Sequence, residues 1–202
     1  MRVIEPQVII LTELDGPAIL RHIERCARVC YKSEAKITED SAYSFLAGII
    51  ARGHESVLEH FSFSVRFICD RGVSHEIVRH RIASFSQEST RYCNYGHDEA
   101  GITVIRPPLP DQQMALWLEA MEASEKSYLA LLNAGATPQM ARSVLPNSLK
   151  TELIMSADLR EWRHFLKLRV DTAAHPQIRE VAIDLAKQLK AKIPVIFDDI
   201  EI

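Results

Sequence analysis

The sequence predicts an α+β protein: helix-rich, a single domain over residues 1–202, with a small, largely antiparallel sheet flanked by several helices. Three observations carry that expectation. Phe61, Phe63, Val65 and Phe67 alternate with Ser62, Ser64, Arg66 and Ile68, the period-two pattern of a half-buried strand. Helical stripes, several bounded by proline, glycine or a polar cap, outnumber such runs. The strands do not alternate with helices as repeated βαβ units would require.

In chain order, Arg2 to Leu11 reads as a strand with an edge-type Pro6. A helix is predicted from Pro17 to Cys30, proline being favoured at the first helical turn. Phe45, Leu46, Ile49 and Ile50 form one apolar stripe of a helix from Ser41 to Arg52, closed by Gly53. After the strand at 61–67 a short helix is predicted from Val73 to Arg81, then a strand from Ile102 to Ile105. A long helix follows from Asp111 to Asn133, stopped by Gly135. Thr137-Pro138 begins another by cap and first-turn preferences, limited by Pro146. The last two helices are predicted at 158–170 and 176–191.

The chain has 202 residues, ordinary globular composition and a net charge of −3, so it carries no general attraction to nucleic acid. Met1 to Leu11 lacks a charged-then-apolar signal layout, and no apolar run approaches membrane-spanning length. Cys26, Cys30, Cys69 and Cys93 show no paired spacing. Cys26 and Cys30, one turn apart, read as reduced core thiols of a cytoplasmic protein. The expectation is a cytoplasmic chain with no nucleic-acid or membrane partner.

The densest chemistry lies in Arg79-His80-Arg81 and the residues that follow, through Ser84, Ser86, Gln87, Ser89 and Arg91. Guanidinium forks fit phosphate oxygens bidentately, and hydroxyls and amides add short hydrogen bonds. The stretch has no glycine, which excludes a phosphate loop of the Walker type or a dinucleotide fingerprint. An anion bound here is gripped by side chains. Phe85 and Tyr92 could stack bases, but no extended basic face accompanies them. Ser89 lacks the glycine-flanked setting of an activated nucleophile and reads as a hydrogen-bonding serine.

In the helix at 158–170, Arg160, Arg163, His164 and Lys167 fall on one arc; Leu159, Trp162, Phe165 and Leu166 fall on the other. Arg169 projects into the middle of the apolar arc. Three readings stay open: the helix frays before it, it pairs with an internal acid such as Asp171, or it aims into a cleft at an anion or carbonyl. Arg142 reads as a surface cation. His75 and His80 are five residues apart, not the four that turn two histidines toward one zinc, so no metal site is expected.

These residues resemble the flavin-dependent thymidylate synthases. Arg79-His80-Arg81, seven residues, then Ser89 matches that family's hallmark, and it continues into Arg91-Tyr92. Gly53-His54-Glu55-Ser56-Val57-Leu58-Glu59-His60 is similar to its upstream segment. Ala141-Arg142-Ser143-Val144-Leu145-Pro146 and the run from Leu159 to Arg169 are similar to two downstream helices, all in family order. The resemblance implies methylation of dUMP to dTMP with 5,10-methylenetetrahydrofolate as carbon donor and FAD reduced by NADPH. It also implies a homotetramer with active sites between subunits.

By the same resemblance Arg79, His80 and Arg81 hold FAD, Arg79 also reaching dUMP. Ser56, Gln87, Asp158, Leu159, Arg160 and His164 align with further flavin-contacting positions. Glu76, Gln87, Glu88, Ser89, Thr90, Arg91, Arg142 and Arg169 align with the nucleotide site, and His54 with a histidine near flavin and folate. Arg169 is the implied catalytic residue, stabilising negative charge on the pyrimidine as N3 ionises. Asp158 departs from the family, which more often has an amide or small polar residue there; an acid offers the flavin no donor.

Overall fold

A computed structural model describes residues 1–97 and 101–202. Its strands are β1 (Arg2–Ile4), β2 (Gln7–Ile10), β3 (Ser62–Asp70), β4 (Ser84–Gln87), β5 (Thr103–Ile105) and β6 (Lys150–Asp158). Its helices are α1 (Gly16–Arg28), α2 (Ser41–Ala51), α3 (Arg71–Ile77), α4 (Asp111–Asn133), α5 (Pro138–Ala141), α6 (Leu159–Arg169) and α7 (Pro176–Lys192), with short 3₁₀ turns between. The α+β expectation holds. Four strands form one sheet in the order β2-β3-β6-β4. Leu159 N–H donates to Phe61 O and Arg71 N–H to Leu149 O, so partners run in opposite directions and β3 and β6 are antiparallel. A smaller pair, β1 with β5, is parallel, in register Arg2↔Thr103 to Ile4↔Ile105.

The chain divides into two compact units. The first comprises Met1–Gln7, Phe67–Arg79 and Phe85–Ile154; the second comprises Val8–Arg66, His80–Ser84 and Met155–Ile202. In the first, Ile102, Val104, Met121, Tyr128, Ala141 and Leu149 form the core, with α4 supplying Met121 and Tyr128. Asp70 caps α3 by accepting from Val73 N–H.

In the second unit α7 turns Ile178, Val181, Ala182, Leu185, Ala186 and Leu189 inward, the spacing of one helical face. Phe63 stacks on Trp162 with centroids 5.1 Å apart, and the indole N–H donates to Phe63 O. Gly16 opens α1 against the end of α7: a Cβ there would overlap the Lys192 carbonyl oxygen. Buried Glu24 accepts from Arg28 at 2.7 and 2.9 Å and from Ser41, tying α1 to α2.

Four expectations change. The first strand is two, because Pro6 lacks an N–H; the chain pairs with β5 before it, and beyond it Leu11 N–H donates to Ser64 O of β3. The helix predicted to Arg81 ends at Ile77, where Val78 caps it, so Arg79-His80-Arg81 leaves the helix and is free to point side chains apart. The helix predicted to Cys30 ends at Arg28; Cys30 falls in the following 3₁₀ turn and is exposed, while Cys26 is half-buried. The strands β4 and β6 are both unanticipated, and β6 lies in the centre of the four-stranded sheet.

Candidate active-site residues

In the second unit the middle residue of the Arg-His-Arg triplet turns inward. His80 is 3% exposed. Its Nδ1 lies 3.0 Å from Glu161 Oε1, and its Nε2 lies 3.2 Å from Arg169 Nε. Phe165 and His164 close around the ring edge-on, with centroids 4.9 and 5.4 Å away. Burial, then the Arg169 guanidinium and His164, push the His80 pKa down to about 4, so the imidazole is neutral at physiological pH. The adjoining Glu161 carboxylate favours the opposite charge state, but an imidazolium could not accept from Arg169. Burial raises the Glu161 pKa.

Arg169 is therefore at the end of an intact helix, half-buried, with an imidazole rather than Asp171 on its Nε. Arg81 is exposed. Arg160 is exposed and donates to Glu59 at 2.6 Å. Asp158 is the N-cap of α6, accepting from Glu161 N–H at 2.8 Å. Its carboxylate thus has a structural task. Leu159 is fully buried.

His54 and Ser56 line a cavity of about 590 Å³ whose walls include Phe45, Ile49, Val57 and Tyr31. The segment that carries them is held by Arg163. This guanidinium, fully buried, donates to Glu55 at 2.9 Å, to Asp199 at 2.6 and 2.7 Å, and to the Ile196 carbonyl. Burial alone would raise the Glu55 pKa, yet Arg163 and Lys167 hold it below the usual range. The helical wheel groups Arg163 with the other cations; only the folded chain shows it buried. It went unrecognised because its acids lie at positions 55 and 199, far apart in sequence.

In the first unit Arg142 leaves α5 toward the basic run and donates to Thr90 Oγ1 at 3.2 Å. It is exposed, as a surface cation should be, but its place beside Thr90 is specific. Gln87 donates to Ser74 and Thr151, which fixes its amide. Glu88 accepts from Tyr95 at 2.8 Å and from Lys150 at 2.9 Å, so its carboxylate is committed within the unit. Ser89 Oγ accepts from Arg91 N–H, and the Arg91 guanidinium lies over the Tyr92 ring. Arg79 is exposed and Glu76 half-buried.

Comparison with known proteins decides what carries this arrangement. The family model described as thymidylate synthase complementing protein, Thy1, matches residues 14–195. The chain belongs to the flavin-dependent thymidylate synthase family. It is 35% identical over 200 residues to the flavin-dependent thymidylate synthase of Geobacter sulfurreducens, covering 90% of this chain and 85% of that protein. It is 36% identical over 218 residues to that of Mycolicibacterium gilvum, covering 98% and 85%. The fold is similar to that of the UMP/dUMP methylase PolB from Streptomyces cacaoi, solved with 5-Br dUMP bound. There the TM-score is 0.81 at 24% identity, over 98% of this chain and 96% of the other.

The family match runs through every candidate residue from His54 to Arg169. Participants outside the family motifs quoted from the sequence, among them Ser74, Tyr95, Lys150, Thr151 and Asp199, emerge from the structure alone. The pattern Asp158-x-x-Glu161 was a readable sign of a helix N-terminus, a cap followed three residues later by an acid.

Proposed function

We propose that this chain is a flavin-dependent thymidylate synthase that methylates dUMP to dTMP, with 5,10-methylenetetrahydrofolate as carbon donor and NADPH as reductant of FAD. The observation that carries the reading is that the family match, residues 14–195, takes in all the anion-gripping and helix-borne residues described above. Residues 1–202 then constitute one functional domain, since that match runs through both compact units.

The residues present fit a flavin. In the second unit Arg81, Arg160 and His164 offer exposed cationic or imidazole donors. The cavity beside His54 and Ser56 has apolar walls with few polar groups, the lining that suits a planar heteroaromatic ring. Once bound, FAD supplies the hydride chemistry, and the protein supplies orientation and charge. In the first unit Arg79, Arg91 and Arg142 would grip the dUMP phosphate, with Gln87, Ser89 and Thr90 giving hydrogen bonds and Glu76 bordering the nucleotide. Glu88, its carboxylate engaged, would contribute through its main chain. Arg169 would stabilise negative charge on the pyrimidine as N3 loses its proton.

Assembly as a homotetramer, with active sites drawing on several chains, is part of the same reading. It is supported by exposed Ile82, Tyr92 and Leu168, apolar side chains immediately beside Arg81, Arg91 and Arg169. The reading places the enzyme in the cytoplasm; no described helix is long and apolar enough to cross a membrane.

The test is direct. Purified protein supplied with FAD, dUMP, methylenetetrahydrofolate and NADPH should form dTMP, followed by chromatography, and should show flavin absorbance after gel filtration. Failure to bind FAD and to oxidise NADPH would sink the reading. Light scattering would report a tetramer or refute it.

A further inference from the structure

We propose that Glu161 is a positioning residue for methylation, acting through His80 to hold the plane of the Arg169 guanidinium. The proposal rests on the functional reading above for what Arg169 does, and on geometry for how it is held.

The proton positions follow from donor and acceptor chemistry. An arginine Nε–H is only a donor and is not lost in proteins. His80 Nε2, 3.2 Å from it, must therefore present a lone pair. A neutral imidazole carries its one proton on the other nitrogen, so Nδ1–H donates to Glu161 Oε1 at 3.0 Å. The carboxylate selects the tautomer, and that tautomer is the one able to receive Arg169. A hydrogen bond at Nε fixes rotation of the guanidinium and hence the directions of its terminal nitrogens.

The parts are mutually braced. Glu161 and Arg169 are eight residues apart on α6, roughly 12 Å along the axis at 1.5 Å per residue. Side chains of a helix lean toward its N-terminus, so Arg169 reaches back toward the ring. Phe165, midway between them, packs edge-on against His80. Asp158 holds the Glu161 amide, fixing the first turn. His80 contributes from outside the helix, in the loop after α3. Protonation of Nε2 would remove the acceptor, and burial together with Arg169 and His164 opposes that protonation.

The same geometry has a competing interpretation. His80, Glu161 and His164 offer ligand atoms within 4.8 Å of one another, as a bound cation would require. A cation on Nδ1 would displace the proton that Glu161 receives, beside an arginine that never neutralises. The relay satisfies both ring nitrogens without it.

The experiment uses the full-length protein labelled with ¹⁵N-histidine, His80 being identified by the signals missing in His80→Gln. Wild type should show His80 protonated on Nδ1 and bare on Nε2. Glu161→Ala and Glu161→Gln should bind FAD within about threefold of wild type. Their kcat for dTMP formation should fall on the order of 10- to 100-fold, the effect of removing a carboxylate that orients a functional imidazole, with KM for dUMP changed much less. Glu161→Ala should also lose the single tautomer. The proposal is overturned by a proton on Nε2 in wild type, by kcat within about twofold in both variants, or by one equivalent of transition metal per chain. If Glu161→Ala does not fold, the wild-type spectrum and Glu161→Gln decide. A wild-type protein that makes no dTMP would refute the functional reading instead, and the tautomer would still test the relay.

Discussion

Replacing Arg163 with Met removes a buried charge hub while keeping most of the side chain's volume. The magnitude follows from what the guanidinium touches. The Ile196 carbonyl loses its donor, worth about 1–3 kcal/mol when an acceptor is left buried. Glu55 and Asp199 have side chains 21% and 45% exposed, so both re-enter water and each lost pair counts for only about 0–1 kcal/mol. The sum is about 3 kcal/mol, at the lower end of the ~3–5 kcal/mol typical of breaking a fully buried pair. For a chain of this length that corresponds to a fall in Tm of roughly 6–12 °C. Urea unfolding followed by circular dichroism measures it. Lys167→Ala is the control, since its ammonium is half-exposed on Glu55 and its loss should stay within about 0.5 kcal/mol. If Arg163→Met loses less than about 1 kcal/mol, the carbonyl and the acids are satisfied without it, and the hub interpretation is wrong.

Other outcomes follow from the same geometry. His80, faced by Glu161, His164, Arg169 and Phe165, is held neutral in the fold, so stability is complete above pH 6.5. It should decline as pH falls from 6.5 to about 4, by up to roughly 3 kcal/mol at about 1.4 kcal/mol per pH unit, and His80→Gln should flatten that slope in urea titrations. Arg142→Ala, losing an exposed cation beside Thr90, should raise KM for dUMP by about 10- to 100-fold with little change in Tm; an unchanged KM would remove Arg142 from the nucleotide site. Arg169→Ala should keep bound flavin but lower kcat by about 10²- to 10³-fold, whereas near-normal turnover would refute its role at N3. Gly16→Ala should destabilise by about 1–3 kcal/mol through overlap with the Lys192 carbonyl, read from thermal melts.

What could be read without the fold depended on how local each signal was. β3 was legible because its buried face is Phe63, Val65 and Phe67, strong hydrophobes in strict alternation. β6 was not, although it alternates as regularly in the structure. Its buried positions are Thr151, Leu153, Met155 and Ala157, and Ile154 sits on the opposite face, so contrast between faces is weak. Both ends of α4 were visible because Pro110 precedes it and Gly135, at φ 90°, follows it. At the site, residue types were informative but partners were not. The anomaly of Arg169 on an apolar arc could be seen; that His80 receives it requires bringing together residues 89 apart. Arg163 misled for the same reason, since only the folded chain delivers Glu55 and Asp199 to it.

The Arg-His-Arg triplet, once outside α3, faces two ways. Arg79 and Arg81 are exposed, while His80 is sealed among Glu161, Phe165 and Arg169. Neighbouring letters of one motif thus answer to different kinds of selection in a mutant library. Randomising the outer two positions should return soluble protein with impaired ligand capture. Randomising the middle one should return chains that melt at lower temperature, so a thermal-melt screen blind to activity would already separate them.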